Sequence, residues 1–161
     1  MSIIIVSALV RTVFGTLSSA ALREIGAIWG LQDDLESLES VFCTIQLVLQ
    51  DAEIKQRKSL AIQNWLLKLK DVAYDAENVL DRIATFGLRR RADSERGVQH
   101  KLTSFLSGKN PLLFRLKMVH EVRKIKKKLG DIADERLKFH LGEVLWKIDL
   151  ERHQRAERRV Q

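Results

Sequence analysis

The sequence predicts an all-α protein, a four-helix bundle built from two antiparallel helical hairpins. Three observations support this fold class. One proline and eight glycines in 161 residues leave little of the turn chemistry that a sheet of many short strands needs. Apolar residues recur at steps of three and four residues in several long segments, which is the spacing of one helix face. With 45% hydrophobic residues, the chain can bury one core without disulfide bonds or a structural metal.

The first predicted helix covers residues 3–29 and is apolar on more than one face. Its only charges are Arg11, Arg23 and Glu24. Such a helix is either enclosed by neighbouring helices or keeps a surface for a partner or a bilayer. The candidates for self-association or membrane contact are its first apolar residues, Ile3, Ile4, Ile5, Val6 and Val10. No positive residue precedes this apolar run, which disfavours a secretory signal peptide, and Arg11 leaves the run too short to cross a membrane.

The second and third predicted helices carry the most regular apolar rows. The second covers residues 31–53, and its row is Leu31, Leu35, Leu38, Phe42, Ile45, Leu49 and Ala52. The third begins after Ser59, a residue suited to an N-cap, and ends near Phe86. Its row is Ile62, Trp65, Leu69, Val72, Ala76, Val79, Ile83 and Phe86. Because only residues 54–59 separate the two helices, they are predicted to form an antiparallel hairpin.

A long basic loop is predicted between the third and fourth helices, from Gly87 to Asn110, because the apolar periodicity fails there. Asn110 followed by Pro111 is typical of a helix start, with an N-cap side chain before a residue that needs no amide partner. The fourth helix fades near Phe139. Its apolar row is Phe114, Met118, Val122, Ile125, Leu129 and Ile132.

Charge is unevenly distributed along the chain, whose formal net charge is +7. Residues 1–86 are net acidic, and residues 87–128 carry the excess of positive charge. The basic patch consists of Arg89, Arg90, Arg91, Arg123, Lys124, Lys126, Lys127 and Lys128. Such a patch is a solvated helix face or a surface for phosphate groups, in anionic lipid or in nucleic acid. No aromatic residues interleave residues 123–128 for base stacking, so nucleic acid binding is the weaker interpretation.

No motif in the sequence indicates catalysis, a cofactor site or a metal site. There is no phosphate-cradling glycine loop, no HExxH zinc motif and no nucleophile elbow. The single cysteine, Cys43, lies on a predicted apolar face and is interpreted as a buried, inert thiol. The acid pairs Asp71 with Asp75 and Glu77 with Asp81 are interpreted as a solvated helix face rather than as a metal or acid–base site. The chain is therefore predicted not to be an enzyme.

Two stretches of sequence point to a family. NWLLKLKDVAYDAENVLD at 64–81 and IQLVLQDAEIKQ at 45–56 resemble the Rx-type N-terminal coiled-coil domain of plant nucleotide-binding, leucine-rich-repeat disease resistance proteins. The resemblance continues through HKLTSFLS and through EVRKIKKKLGDIADERLKFHL at 121–141. We therefore interpret residues 1–141 as one Rx-type domain and residues 142–161 as a charged tail or the start of a linker. The family's domain is a four-helix bundle, in agreement with the four apolar rows.

The resemblance also implies a docking site. The family's acidic signature, written EDVID, falls on residues 77–81, where relatives use the acids to dock on arginines of their own repeat domain or on cofactor proteins. Asn78 replaces one acid, which weakens that contact. The implied partner-docking residues are Asp71, Asp75, Glu77, Asn78, Asp81 and Trp65. The family's ATP or ADP site lies in a downstream domain that this sequence does not contain, so no cofactor is assigned to the chain.

These observations predict a plant defence module that signals by self-association and by docking. The predicted partners are a nucleotide-binding, leucine-rich-repeat chain, a host cofactor protein and a second copy of the chain. The predicted location is the cytoplasm, with peripheral contact at the plasma membrane. The first alternative is a pore-forming module that acts on membranes through the first helix, since the resemblance implies that activated relatives release this helix. The second alternative is a nucleic-acid-binding helix at residues 123–128.

Overall fold

The computed structural model describes residues 3–96, 111–141 and 154–159. Within these ranges the long helices are α1 (Ser7–Leu17), α2 (Ala20–Trp29), α3 (Gln32–Lys55), α4 (Leu60–Arg96) and α5 (Pro111–Glu135). A 3-10 turn at Gln56–Lys58 joins α3 to α4, and residues 154–159 are also helical. The described residues contain no strand, which confirms the all-α class.

The predicted first helix is two helices in the structure. α1 ends at Leu17 and α2 begins at Ala20, because Ser19 between them has an extended backbone with φ −68° and ψ 145°. The hydroxyl oxygen of Ser19 accepts a hydrogen bond from the amide of Leu22 at 3.4 Å, so Ser19 is the N-cap of α2. Serine hydroxyls compete with the helix for backbone hydrogen bonds, and the pair Ser18 and Ser19 therefore interrupts an otherwise continuous apolar row.

Helix α4 continues to Arg96, beyond its predicted end at Phe86. Gly87 does not end the helix. It is buried against α2, where an added Cβ atom would approach Cγ1 of Ile25 to 2.7 Å and the carbonyl oxygen of Ala21 to 3.3 Å. Leucine, arginine and alanine, which favour helix, dominate the residues that follow. The prediction of a loop is therefore wrong for residues 87–96.

The predicted starts of the third and fourth helices are confirmed, whereas α5 ends at Glu135, before the predicted end near Phe139. The amide of Ile62 donates to the hydroxyl oxygen of Ser59 at 3.3 Å, which makes Ser59 the N-cap of α4. α5 begins at Pro111, as predicted. The remainder of the predicted basic loop, residues 97–110, lies outside the described residues.

The helices surround one apolar core. α1, α2 and α5 each pack against both α3 and α4, whereas α3 and α4 contact each other little along their length. The two helices of the predicted hairpin, α3 and α4, are therefore joined by a short turn but pack mainly against other helices instead of against each other. The largest fully buried side chains include Trp65, Phe42, Leu22, Ile25, Leu31 and Leu38.

Cys43 is exposed, so the prediction of a buried thiol is wrong. Its neighbours Phe42 and Ile45 are both fully buried. Each residue of an α-helix is rotated by about 100° from the one before it, which turns Cys43 out of the apolar row of α3.

An aromatic cluster joins α2, α4 and α5 at one end of the bundle. The ring centroids of Phe86 and Phe114 are 5.2 Å apart, and that of Trp29 lies 5.4 Å from Phe86. The guanidinium of Arg115 also donates a hydrogen bond to the carbonyl oxygen of Trp29 at 3.4 Å. These contacts hold the later turns of α4 against the start of α5.

Candidate docking surface

Helix α4 has a buried row and an exposed row on different sides. The buried row, which packs against α1, α2 and α5, includes Ile62, Trp65, Leu69, Val72, Ala76, Val79 and Ile83. The exposed row repeats the same alternation of four- and three-residue steps. We call it the α4 outer face, and it consists of Leu67, Asp71, Tyr74, Asn78, Asp81, Thr85 and Leu88. Because the buried row is continuous, the outer face is presented by a helix of fixed position.

The middle of the α4 outer face is acidic, and two further acids, Asp75 and Glu77, lie on either side of its row. From residue 71 to residue 81 the helix carries Asp71, Asp75, Glu77 and Asp81 and no basic residue. The three aspartates are exposed and Glu77 is half-buried. Within the described part of the chain, no ion pair or side-chain hydrogen bond uses these four carboxylates. They are therefore available to cations of another molecule.

The structure brings five of the six predicted docking residues together. The four carboxylates share one side of α4 with Asn78, which is exposed. Asn78 has no charge, but its amide group can donate and accept hydrogen bonds. Their use in docking stays a prediction.

Trp65 lies apart from this surface. Its side chain is 1% exposed, and its indole nitrogen donates a hydrogen bond to the carbonyl oxygen of Ile132 at 2.7 Å. Trp65 therefore joins α4 to α5 inside the core. The resemblance placed it among the docking residues, whereas the structure gives it a packing role.

Sequence reasoning missed the apolar side chains of the outer face, among them Leu67 and Tyr74. Leu67 is 46% exposed and Tyr74 is 50% exposed, with Asp71 between them on the same row. The signal was present in the sequence as a second row with the spacing of a helix face. An exposed phenol ring beside carboxylates suits a partner's arginine or lysine, which the ring face and the carboxylates both attract.

The first described residues are clamped to the end of α3. The side chain of Gln56 is 2% exposed; its oxygen accepts a hydrogen bond from the amide of Ile4 at 2.9 Å, and its nitrogen donates to the carbonyl oxygen of Ile4 at 2.8 Å. One carboxylate oxygen of Glu53 accepts hydrogen bonds from the amides of Val6 and Ser7 at 3.1 and 3.0 Å. A carboxylate at this position satisfies free amides at the start of α1. We call this set of contacts the N-terminal clamp.

The residues predicted for self-association or membrane contact differ in their exposure to solvent. Ile3 and Ile5 are exposed and Ile4 is half-buried, whereas Val6 and Val10 are fully buried in the core. While α1 stays packed, Val6 and Val10 hold it on the bundle and are not accessible to a partner. No helix in residues 3–96, 111–141 and 154–159 combines the length and apolar content needed to cross a bilayer.

Helix α5 carries the larger part of the predicted basic patch. Lys124, Lys127 and Lys128 are exposed. Arg123 and Lys126 instead form ion pairs with Asp34 of α3, with nitrogen to oxygen distances of 3.5 and 3.0 Å. Basic residues of α5 are therefore attracted to an acidic residue of α3, in agreement with the uneven distribution of charge along the sequence.

The remaining patch residues belong to α4. Arg89 and Arg90 are exposed on the part of α4 that was predicted to be a loop. The side chain of Arg91 lies outside the described residues. Among the side chains that the structure does describe, no group of three or more histidines, cysteines or carboxylates is placed to hold a metal ion.

Comparison with known proteins identifies the family. A family model described as the Rx N-terminal domain matches residues 9–105, more than half of the chain. The chain belongs to the Rx N-terminal domain family. The putative disease resistance protein RGA1 and the disease resistance protein RGA2 of Solanum bulbocastanum are 36% and 35% identical to it over 136 residues, which are 84% of this chain and 13% of each relative. The putative disease resistance RPP13-like protein 3 of Arabidopsis thaliana is 29% identical over 137 residues, 85% of this chain and 16% of that relative.

The match confirms the family that the sequence resembled. This Rx N-terminal domain spans only 13% to 16% of the length of these curated relatives. No solved structure matches the chain. The whole α4 outer face lies within the residues that the family model matches, whereas α5 lies beyond them.

Proposed function

We propose that this Rx N-terminal domain is the interaction and signalling module of a plant disease resistance protein, and that it acts by binding rather than by catalysis. The similarity to disease resistance proteins supports a role in plant defence. The observation that carries the proposal is the α4 outer face, where unpaired carboxylates surround an exposed tyrosine. Its partner is an arginine-bearing surface of a nucleotide-binding, leucine-rich-repeat chain or of a host cofactor protein, met in the cytoplasm or at the plasma membrane.

The energetics of the face determine how it binds. A single exposed ion pair contributes only about 0.2–1 kcal/mol, so one carboxylate cannot hold a partner. Several carboxylates acting together add steering and specificity. Leu67 and Tyr74 supply the apolar contact that the charges lack, because aromatic side chains are the usual anchors of protein interfaces. The helix loses little conformational entropy on binding, since the core already fixes it.

Reversing the charges of the face is expected to abolish docking without unfolding the domain. The variant combines Asp75→Lys, Glu77→Lys and Asp81→Lys, none of which removes a core side chain. We expect co-precipitation with the nucleotide-binding and repeat domains of a disease resistance relative to be lost, and the helix content measured by circular dichroism to be unchanged.

The matched control reverses three acids of α3, Asp33, Glu36 and Glu39. This set has the same change in charge and the same exposure, two exposed side chains and one half-buried. The control variant is expected to co-precipitate as the parent chain does. Equal binding by the parent and the α4 variant would refute the docking role of the α4 outer face.

A further inference from the structure

Helix α5 has an exposed row that matches the row on α4. Its residues follow the same alternation of four- and three-residue steps over the same number of positions, and all of them are exposed. We call this row the α5 outer face, and it consists of Leu113, Lys117, His120, Lys124, Lys127, Asp131 and Asp134. Two exposed helix rows with this spacing can lie along each other as the helices of a coiled coil do.

The charges of the two faces are complementary. The middle of the α4 outer face is acidic, whereas the middle of the α5 outer face carries Lys117, Lys124 and Lys127, with the exposed Lys128 beside them. In the part of the chain that the structure describes, these four lysines form no ion pair, unlike Arg123. The middle of each face therefore lacks the opposite charge that the middle of the other face provides.

We infer that the α4 outer face of one copy of this chain binds the α5 outer face of a second copy. When the two helices run in the same direction, one alignment forms two ion pairs in the middle of the faces and sets Lys124 against the amide of Asn78. It sets Leu67 against Leu113, Asp71 against Lys117, Tyr74 against His120, Asn78 against Lys124 and Asp81 against Lys127. The opposite direction also gives two ion pairs, Asp71 with Lys127 and Asp81 with Lys117, so the same two carboxylates and two lysines carry the contact in either direction.

The two faces cannot meet within one chain. α4 and α5 already contact each other through their buried sides, where Trp65 binds the carbonyl oxygen of Ile132 and Phe86 stacks on Phe114. Their outer faces are therefore both turned away from that contact. A contact between copies uses a different face on each partner, so each copy of a pair keeps one unused face, through which a ring or an open chain can grow.

The contact is weak and sensitive to salt. Leu67, Tyr74 and Leu88 provide the apolar area of the α4 outer face. Leu113 is the apolar residue of the α5 outer face. Leu88 is 57% exposed and Leu113 is 64% exposed. The lysine side chains can lay their methylene groups along the tyrosine ring while their ammonium groups reach the aspartates. Ion pairs at such a surface are screened by salt, so association should fall as ionic strength rises.

This inference rests on the self-association part of the proposed function and identifies its surfaces. The α4 outer face is also the proposed docking surface for a repeat domain, so one copy cannot use it for both partners at the same time. The α5 outer face has no part in repeat-domain docking.

The test reverses the charges of one face at a time and measures self-association by sedimentation velocity, at low salt and over a range of protein concentrations. The first variant carries Asp71→Lys and Asp81→Lys, and the second carries Lys117→Glu and Lys127→Glu. The parent chain is expected to gain mass with concentration. Each variant alone sets like charges against each other and is expected to associate at least tenfold more weakly, on the order expected for reversed interface charges.

The decisive sample is an equimolar mixture of the two variants. In the mixture, the basic α4 face of the first variant can pair with the acidic α5 face of the second, so association is expected to return. All four positions are exposed, and circular dichroism confirms that each variant is folded. A parent chain that stays monomeric, a single variant that associates as the parent does, or a mixture that remains monomeric would each overturn the inference.

The same variants separate this inference from repeat-domain docking. The Lys117→Glu, Lys127→Glu variant should lose self-association while still co-precipitating with a repeat domain. If it loses neither, the inference fails and the proposed docking stands.

Discussion

Replacing Trp65 by alanine is expected to lower the free energy of unfolding by about 3–5 kcal/mol, the cost of removing a large aromatic side chain from a packed core. Trp65 is 1% exposed and is among the largest fully buried side chains of the domain. Its removal leaves a cavity between α4 and α5 and leaves the carbonyl oxygen of Ile132 without its indole partner. Both effects act on the contact between the two helices.

Phenylalanine at this position separates the two effects. The Trp65→Phe variant keeps part of the aromatic packing but cannot donate the hydrogen bond, and we expect a smaller loss of about 1–2 kcal/mol. Urea unfolding followed by far-ultraviolet circular dichroism measures both variants without relying on tryptophan emission. The control is Leu67→Ala, which truncates an exposed side chain of the same helix and should change stability by about 0.5 kcal/mol or less. A Trp65→Ala variant as stable as this control would contradict the packing role.

Breaking the N-terminal clamp is expected to make α1 open more often while the rest of the bundle stays folded. In a Gln56→Ala variant, the amide and the carbonyl oxygen of Ile4 both lose their partner, at a cost of about 2 kcal/mol. Because one tenfold change corresponds to about 1.4 kcal/mol, amide hydrogen exchange in α1 should accelerate roughly 10- to 100-fold. Val10 is a suitable reporter, since its amide donates to the carbonyl oxygen of Val6 at 3.0 Å.

A second variant tests the other half of the clamp. Glu53→Ala removes the acceptor for the amides of Val6 and Ser7, and we expect a cost of about 1–2 kcal/mol, as for the loss of an N-cap. The control is Gln50→Ala, at an exposed position of α3 three residues before Glu53. Hydrogen exchange that accelerates equally in α1, α4 and α5 would mean global destabilisation and would contradict a local clamp.

The parts of the fold that were predicted correctly are those that depend on local spacing. The apolar rows of α3, α4 and α5 follow from residues three and four apart, and the structure buries nearly all of them. The break between α1 and α2 was missed because Ser18 and Ser19 interrupt backbone hydrogen bonding without changing the apolar spacing. The end of α4 was placed too early because Gly87 reads as a helix terminator, whereas its role is to let α2 approach.

Contacts between residues distant in sequence could not be predicted from spacing. Gln56 and Ile4 are separated by 52 positions, and neither residue type indicates that they will meet. The role of Trp65 shows the same limit, because its carbonyl partner Ile132 lies 67 residues away. Glu77 and Asp81 of the candidate site were identified through the family signature at residues 77–81, which does not include residue 74. Tyr74 was missed for that reason, although the helical period places it among them.

The central claim is that this domain acts in plant defence through the α4 outer face, and a leaf assay tests it most directly. An autoactive full-length disease resistance relative is expressed in leaf tissue with the parent chain, with the Asp75→Lys, Glu77→Lys, Asp81→Lys variant, or with an empty vector. We expect the parent chain to change the extent of cell death and the variant to match the empty vector at equal protein levels. The same extent of cell death in all three samples, or the same change with parent and variant, would contradict the account.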